Sequence, residues 1–403
     1  PTAIDLGLER VAAVAARLGV TVPRARVITV AGTNGKGSVC GLLEAMLRAA
    51  GYPAGVYTSP HLLRFNERIR IAGREADDPD LCAAFERVEA ARGDTTLTYF
   101  EFGTLAAFDL FNRAGADPWV LEVGLGGRLD ATNAVDADVA VVTSVGLDHV
   151  EWLGADRDRI GREKAGIGRR ARPLVVGDPE PPAGLLEAAT ELGAVVGRLG
   201  DDFDYTLAGD RWDWVGPDAA LAGLPLPALA GGYQVRNAAT ALAALRGCGL
   251  DLPRAAIEAG LSAAVVPGRF QVHAGAVETI LDVAHNPDAA AMLAVTLHER
   301  PCAGRTLAVI AMYGDKDAAG VIARLAPAVD GWCVAGLAGP RAREADTLAR
   351  IVEAHGLDLW LQAPDPVRAW RDARGLARPG DRLVVLGSFA TVAAVAPLLA
   401  AEA

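Results

Sequence analysis

Apolar and polar positions along the chain keep two periods, and the places where one gives way to the other mark out its elements. Residues 26–31 form an apolar, β-branched run with glycine directly after it. Residues 39–50 then place Leu42, Leu43, Met46 and Leu47 at helical spacing, Gly51 ends that helix, and residues 54–57 begin another strand. Strand, glycine loop, helix and strand make a βαβ unit. WVLEV at 119–123 and VAVVTSV at 139–145 are near-continuous apolar runs, which suit parallel strands covered on both faces. Both are placed in one sheet with the first strand.

Residues 201–227 break this rhythm. Three turn-like clusters and the aromatic residues Phe203, Tyr205, Trp212 and Trp214 predict a small antiparallel excursion. NAATALAAL at 237–245 predicts a helix, followed by a second at 253–261. The turn signal Val266-Pro267-Gly268-Arg269-Phe270 is the preferred domain boundary, giving domains 1–266 and 267–403. Past it, strand-like runs at 279–284, 306–312, 331–335 and 382–386 are separated by helical stretches, which predicts a second parallel sheet. The expected class is α/β: an N-terminal P-loop-type parallel-sheet ATPase domain and a smaller C-terminal Rossmann-like domain.

Composition narrows the options. A chain of 403 residues exceeds one ordinary core, and 51% hydrophobic with 22% charged residues is a soluble globular composition. No apolar run is long enough to span a bilayer, and no signal-peptide pattern opens the sequence at Pro1. Cys40, Cys82, Cys248, Cys302 and Cys333 are scattered and lack C-x-x-C spacing. They argue against a disulfide framework and a zinc site and fit a reducing, cytoplasmic setting. The net charge of −11 disfavours nucleic-acid binding. Anionic ligands would need local cations or a metal ion.

The candidate chemistry begins in VITVAGTNGKGSVC, residues 27–40. Gly32, Thr33, Asn34, Gly35, Lys36, Gly37 and Ser38 depart from the usual G-x-x-x-x-G-K-S/T spacing of a phosphate loop. A tight strand-to-helix turn is the plain alternative. Lys36, however, stands at a helix mouth, where a cation gains nothing from the dipole. It makes sense there beside an anion cradled by backbone N–H groups, and the Ser38 hydroxyl can then reach magnesium.

Glu122 is a carboxylate inside an apolar strand. It is a metal ligand or the ion-pair partner of Arg128. His149 leaves the next strand at the same sheet edge, as a ligand or a satisfied structural histidine, with Asp148 as its rival or its orienting partner. Lys164, in GREKAGI, reads on chemistry alone as a solvated helix lysine. A lysine of low pKa could also react with carbon dioxide to give a metal-bridging carbamate. Asp282 and His285 leave a strand together in DVAHNP, with Asn286 as a helix cap and Pro287 at the first helical position. Asn237, Arg269, Lys316 and Ser388 are polar residues beside loops, for which a solvated surface is the equal alternative.

Together these residues resemble the folylpolyglutamate synthase and dihydrofolate synthase family, within the Mur ligase superfamily. The matching strings are AGTNGKGSV, TSPHLLRFNERIRI, TYFEFGTLAAF, LEVGLGGRLDATN, TSVGLDH, GREKAGI, PGRFQV, DVAHNP and YGDKD, in family order over nearly the whole chain. The resemblance implies that Gly32 to Ser38 are the family's nucleotide loop, with Lys36 catalytic and Ser38 and Glu122 holding one magnesium. It implies that His149 and a carbamylated Lys164 serve a second metal position, with potassium as a further cation. Asn237, Arg269 and Asp282 would contact ATP across a domain cleft. Asp282 and His285 would be catalytic, with His285 and Ser388 near the incoming glutamate. Asp5, Phe100, Glu101, Gly126, Arg128 and Asp130 carry over as the pterin side.

The resemblance implies an amide ligase. The carboxylate of dihydropteroate, or the γ-carboxylate of a folate, takes the γ-phosphoryl of ATP to become an acyl phosphate. The amine of L-glutamate then displaces phosphate. The partners expected are small molecules, with no nucleic acid or membrane, on a monomer. The alternatives are a Mur-type cell-wall peptide ligase, which would need an extra domain ahead of residue 26, a monofunctional folylpolyglutamate synthase, and a nucleotide-gated interaction module.

Overall fold

The computed structural model describes residues 7–401. It divides into two compact units, one of Pro1–Ala228 with Gln234–Val265, the other of Leu229–Tyr233 with Val266–Ala403.

In the first unit, β1 (Val27–Ala31), β2 (Gly55–Tyr57), β3 (Ile69–Ile71), β4 (Arg74–Glu75), β5 (Trp119–Glu122), β6 (Val139–Val142), β7 (Pro173–Val176) and β8 (Val195–Arg198) form one sheet. Its order is β4-β3-β2-β5-β1-β6-β7-β8. As the apolar runs predict, β5 and β6 flank β1 in parallel, and every residue of the three is buried. β3 and β4 depart from the all-parallel expectation, pairing antiparallel with their neighbours at the sheet edge. Ala72 and Gly73 join them with φ of 52° and 75°. Two such residues make the mirror-image turn that favours a tight hairpin over a crossover.

Helices complete the layers. One core joins helices Glu9–Leu18, Asp78–Arg92 and Tyr99–Ala114 to the sheet. Phe108 and Phe111 both lie 5.6 Å, centroid to centroid, from the Trp119 ring. Burying an aromatic of this kind contributes about 1.5–3 kcal/mol. A second core joins β6 and β7 to helices Arg157–Ala165 and Ala183–Leu192.

The amino ends of the central strands are tied by carboxylates. Asp117 accepts from the Arg26 backbone at 2.9 Å and from its guanidinium at 2.6 Å. Asp138 accepts from the Val27 N–H at 2.9 Å and from Arg172 at 2.6 Å.

The excursion is a three-stranded antiparallel sheet of β9 (Asp204–Ala208), β10 (Arg211–Gly216) and β11 (Ala219–Pro225). Its indoles are buried: Trp212 donates to Pro225 O and Trp214 to Ala239 O, which docks the sheet on helix Tyr233–Gly247. That helix starts earlier than the alanine-rich pattern implies.

In the second unit, β12 (Gln271–His273), β13 (Glu278–Leu281), β14 (Thr306–Ile310), β15 (Gly331–Ala335), β16 (Leu359–Ala363) and β17 (Arg382–Leu386) run in the order β12-β13-β17-β14-β15-β16. The sheet is mixed rather than all-parallel, because β12 pairs antiparallel with β13. The two edge strands β12 and β16 are partly exposed, whereas the four between them are almost wholly buried.

Candidate active site

The glycine loop leaves the carboxyl end of β1 and turns into helix Lys36–Ala49, for which Gly35 is the N-cap at φ 91°. A side chain at Gly32 would put its Cβ 1.9 Å from the Thr143 hydroxyl, and one at Gly35 would sit 2.9 Å from Asn237 Oδ1. Both glycines are therefore required by neighbours as well as by conformation. The Lys36 ammonium folds back onto the loop, donating to Gly32 O at 2.8 Å and Thr33 O at 3.2 Å. Ser38 lies buried in the first turn of the helix. The buried Asn237 amide donates to Gln234 Oε1 at 2.8 Å.

Glu122 ends β5, in register with Val30 of β1 and buried. Its Oε2 accepts from the Ser59 N–H at 3.0 Å. The Arg128 alternative gives way, because that guanidinium pairs with Glu163 at 2.8 Å. Ser38 and Glu122 offer a hydroxyl and a carboxylate, oxygen donors that fit a hard cation completed by phosphate oxygens and water. Among the described residues, no group of three or more His, Cys, Asp or Glu side chains converges to hold a metal by itself.

His149 follows β6 and caps the short helix Val150–Leu153 at φ 52°. Asp148 Oδ1 accepts from the His149 N–H at 2.8 Å, and its Oδ2 lies 3.9 Å from His149 Nε2. Lys164 is not the solvated lysine its charged helix suggests; it is 3% exposed. Burial lowers its pKa to about 7, the Lys36 charge acts in the same direction, and Asp148 and Asp130 oppose.

The residues that the resemblance implies for the pterin divide. Glu101 closes a capping box, accepting from Thr98 N at 2.7 Å, and also takes a bond from Arg10 at 2.9 Å. Asp130 gathers the N–H groups of Gly124, Leu125 and Thr132 with the Thr132 hydroxyl, shaping the loop that holds Gly126 at φ 69°. Burial raises its pKa against those bonds. The Phe100 ring presses on Gly124, where a Cβ would stand 2.7 Å from Cζ. Asp5 lies outside the described residues.

In the second unit, Asp282 follows β13 and accepts from Phe270 N and Ala284 N, both at 2.8 Å. Burial raises its pKa, while Arg269, those two N–H groups and His285 oppose. The Arg269 guanidinium lies over the Phe389 ring at 5.8 Å. His285 Nδ1 is 2.8 Å from Val283 O. A carbonyl only accepts, so this nitrogen is the donor. Asn286 caps helix Pro287–Glu299 through Ala289 N, with Pro287 first, as its sequence predicts. Ser388 is buried and caps helix Phe389–Ala400 through Thr391 N at 3.0 Å. Lys316 sits in a loop whose carbonyls at Tyr313, Gly314 and Lys316 all accept from Arg343.

Sequence reasoning passed over Thr143, Ser144 and Gln234, which touch the glycine loop or Asn237. Two hydroxyls directly behind an apolar strand are the signal for the first pair.

Comparison with known proteins identifies the family. Residues 30–176 match the Mur ligase middle domain and residues 268–389 the Mur ligase glutamate ligase domain. The dihydrofolate synthase/folylpolyglutamate synthase of Escherichia coli (strain K12) is 50% identical over 400 residues, 99% of this chain and 92% of that one. The structure of E. coli FolC in complex with DHPP and ADP superposes with a TM-score of 0.94 at 49% identity, covering 99% of this chain and 94% of that chain. A bifunctional folylpolyglutamate synthase/dihydrofolate synthase with Mn, AMPPNP and L-glutamate bound gives 0.92 at 48% identity, covering 99% and 95%. The chain belongs to the dihydrofolate synthase/folylpolyglutamate synthase family, built from Mur ligase domains.

Proposed function

We propose that this protein joins L-glutamate to dihydropteroate, and in further rounds to the γ-carboxylate of folates, with cleavage of ATP to ADP and phosphate. The observation that carries the reading is the pairing of β1 with β5. It brings an anion-binding glycine loop and the carboxylate of Glu122 out of adjacent strand ends. Ligands of open α/β sheets bind at such carboxyl ends. The ligands of the two solved relatives, ADP with DHPP and AMPPNP with Mn and L-glutamate, support the same reading.

The loop N–H groups and Lys36 hold the phosphates, and Lys36 leaves its loop carbonyls for the γ-phosphoryl as charge shifts there. Ser38 and Glu122 would hold magnesium, which supplies neutralising charge to the phosphates. Asn237 is proposed to orient the nucleotide. The substrate carboxylate attacks the γ-phosphorus, the bond to the β-γ bridging oxygen breaks, and ADP leaves an acyl phosphate. Phe100, Glu101, Gly126, Arg128 and Asp130 are proposed to seat the pterin. In the second unit, Arg269 and Asp282 are proposed to contact ATP, and His285 and Ser388 to lie near the incoming glutamate. The neutral glutamate amine attacks the acyl carbon, phosphate departs, and His285 Nε2 is suited to take the amine proton.

Lys164 fits the carbamate. With a pKa of about 7, much of its amine is neutral near neutral pH. The nitrogen lone pair adds to the carbon of carbon dioxide, a proton leaves to water, and a carboxylate on nitrogen results. With His149 it would serve the second metal position, and potassium is a further proposed cation. No helix among the described residues is long and apolar enough to cross a membrane. A cytoplasmic location and a monomer are proposed; light scattering in solution tests the monomer.

The reaction itself is the test. ATP, magnesium, dihydropteroate and L-glutamate should yield ADP and dihydrofolate in equal amounts. ADP release indifferent to both organic substrates would overturn the ligase reading.

A further inference from the structure

Thr143 and Ser144 follow β6 directly, and no part of the reaction scheme above uses them. Their hydroxyls meet at one atom. The Asn34 carbonyl oxygen accepts from Thr143 Oγ1 at 2.7 Å and from Ser144 Oγ at 3.0 Å. The Asn34 N–H returns a bond to Ser144 Oγ at 3.1 Å. The neighbouring peptide is tied as well: Thr33 N–H donates to Ser144 O at 2.8 Å, and the Thr33 hydroxyl and Gly146 exchange bonds of 3.1 and 2.9 Å. Thr143 also fills the space where Gly32 lacks a side chain.

A phosphate-binding loop must turn its N–H groups toward the anion and its carbonyls away, because a carbonyl oxygen facing a phosphate repels it. The carbonyls of Gly32 and Thr33 are held by Lys36, the same cation that a triphosphate attracts. The Asn34 carbonyl is held by two neutral hydroxyls that have no reason to leave when a nucleotide arrives.

We infer that Thr143 and Ser144 are positioning residues for the nucleotide: their paired hydroxyls fix the Asn34 peptide so that the loop keeps its donors inward after Lys36 turns to the phosphates. The second strand end thus acts as a template for the first. It also accounts for the glycine at position 32, the place that lets the Thr143 hydroxyl in.

The inference rests on the glycine loop being a nucleotide site, and calorimetry of the full chain with ADP and magnesium separates the two. Thr143→Val keeps the outline of the side chain and removes the hydroxyl. It should weaken ADP binding and raise KM for ATP by roughly tenfold, the cost of one buried carbonyl losing a partner. KM for L-glutamate should stay as it is, and Thr143→Ser should restore binding. Ser144→Ala should show the same split, and carries the test if the valine variant does not fold. Folded variants with unchanged ADP affinity, equal rises in both KM values, or no recovery in Thr143→Ser would overturn the inference. Failure of the unsubstituted protein to bind ADP would overturn the nucleotide site itself.

Discussion

The positive charge on Lys36 pushes the buried amine of Lys164 toward its neutral form, adding to what burial already does. The folded chain sheds the Lys164 proton near 7, whereas the unfolded chain keeps it up to the ordinary 10.5. Between those values the unfolded state binds more protons, so stability rises with pH. The penalty is full at and below pH 7 and is gone above the unfolded value. Lys164→Met should therefore melt higher than the parent protein at neutral pH in buffer freed of carbon dioxide. The difference should shrink as pH climbs, by about 1.4 kcal/mol per pH unit. A gap that is constant across the range would show an ordinary charged lysine.

The same amine predicts a chemical dependence. Lys164→Ala should lose most of its turnover and regain part of it with added acetate or propionate, which put a carboxylate where the carbamate would stand. Added bicarbonate should stimulate the parent protein and leave Lys164→Ala unchanged. Full activity of the alanine variant without additives would remove the carbamate.

Glu122→Gln keeps the oxygen that accepts from Ser59 and deletes the charge. Turnover at limiting magnesium should fall by roughly 10²-fold or more, with the magnesium titration moved to higher concentration and the melting temperature little changed. A variant that titrates with magnesium as the parent does would take Glu122 out of the metal site.

Gly32→Ala should be destabilised by about 1–3 kcal/mol, because its Cβ would fall on the Thr143 hydroxyl. The partner substitution Thr143→Ala should lessen that loss when the two are combined. Strictly additive urea-melt energies for the pair would contradict the close approach.

Asp282→Asn retains one acceptor for the two N–H groups of Phe270 and Ala284. The variant should stay folded by circular dichroism while kcat falls on the order of 10²-fold. Undiminished kcat would exclude Asp282 from the chemistry.

What was legible in the sequence followed from local density of signal. β1, β5 and β6 are buried throughout, so their apolar runs show them, and the glycines and Lys36 announce the loop. Trp212 and Trp214 point to a packed excursion because indoles rarely stay in water. The β3–β4 hairpin, β12 and β16 were not legible, being short or half-exposed edges. Lys164 was read in its plain chemistry as a surface residue because its helix, RDRIGREKA, is mostly charged. Its burial comes from segments distant in the chain, and so does the field of Lys36. Thr143 and Ser144 belong to a quoted string, yet their contact with Asn34 exists only once β6 lies beside β1.

The carboxylate ties of Asp117 and Asp138 grip Arg26, Val27 and Arg172 at the amino ends of the central strands. The glycine loop and Glu122 stand at the opposite rim. Durability and turnover in this unit are accordingly separable traits. Changes that strengthen the lower rim can leave the upper one alone, and changes that reshape the upper rim for a new acceptor acid need not loosen the open sheet beneath it.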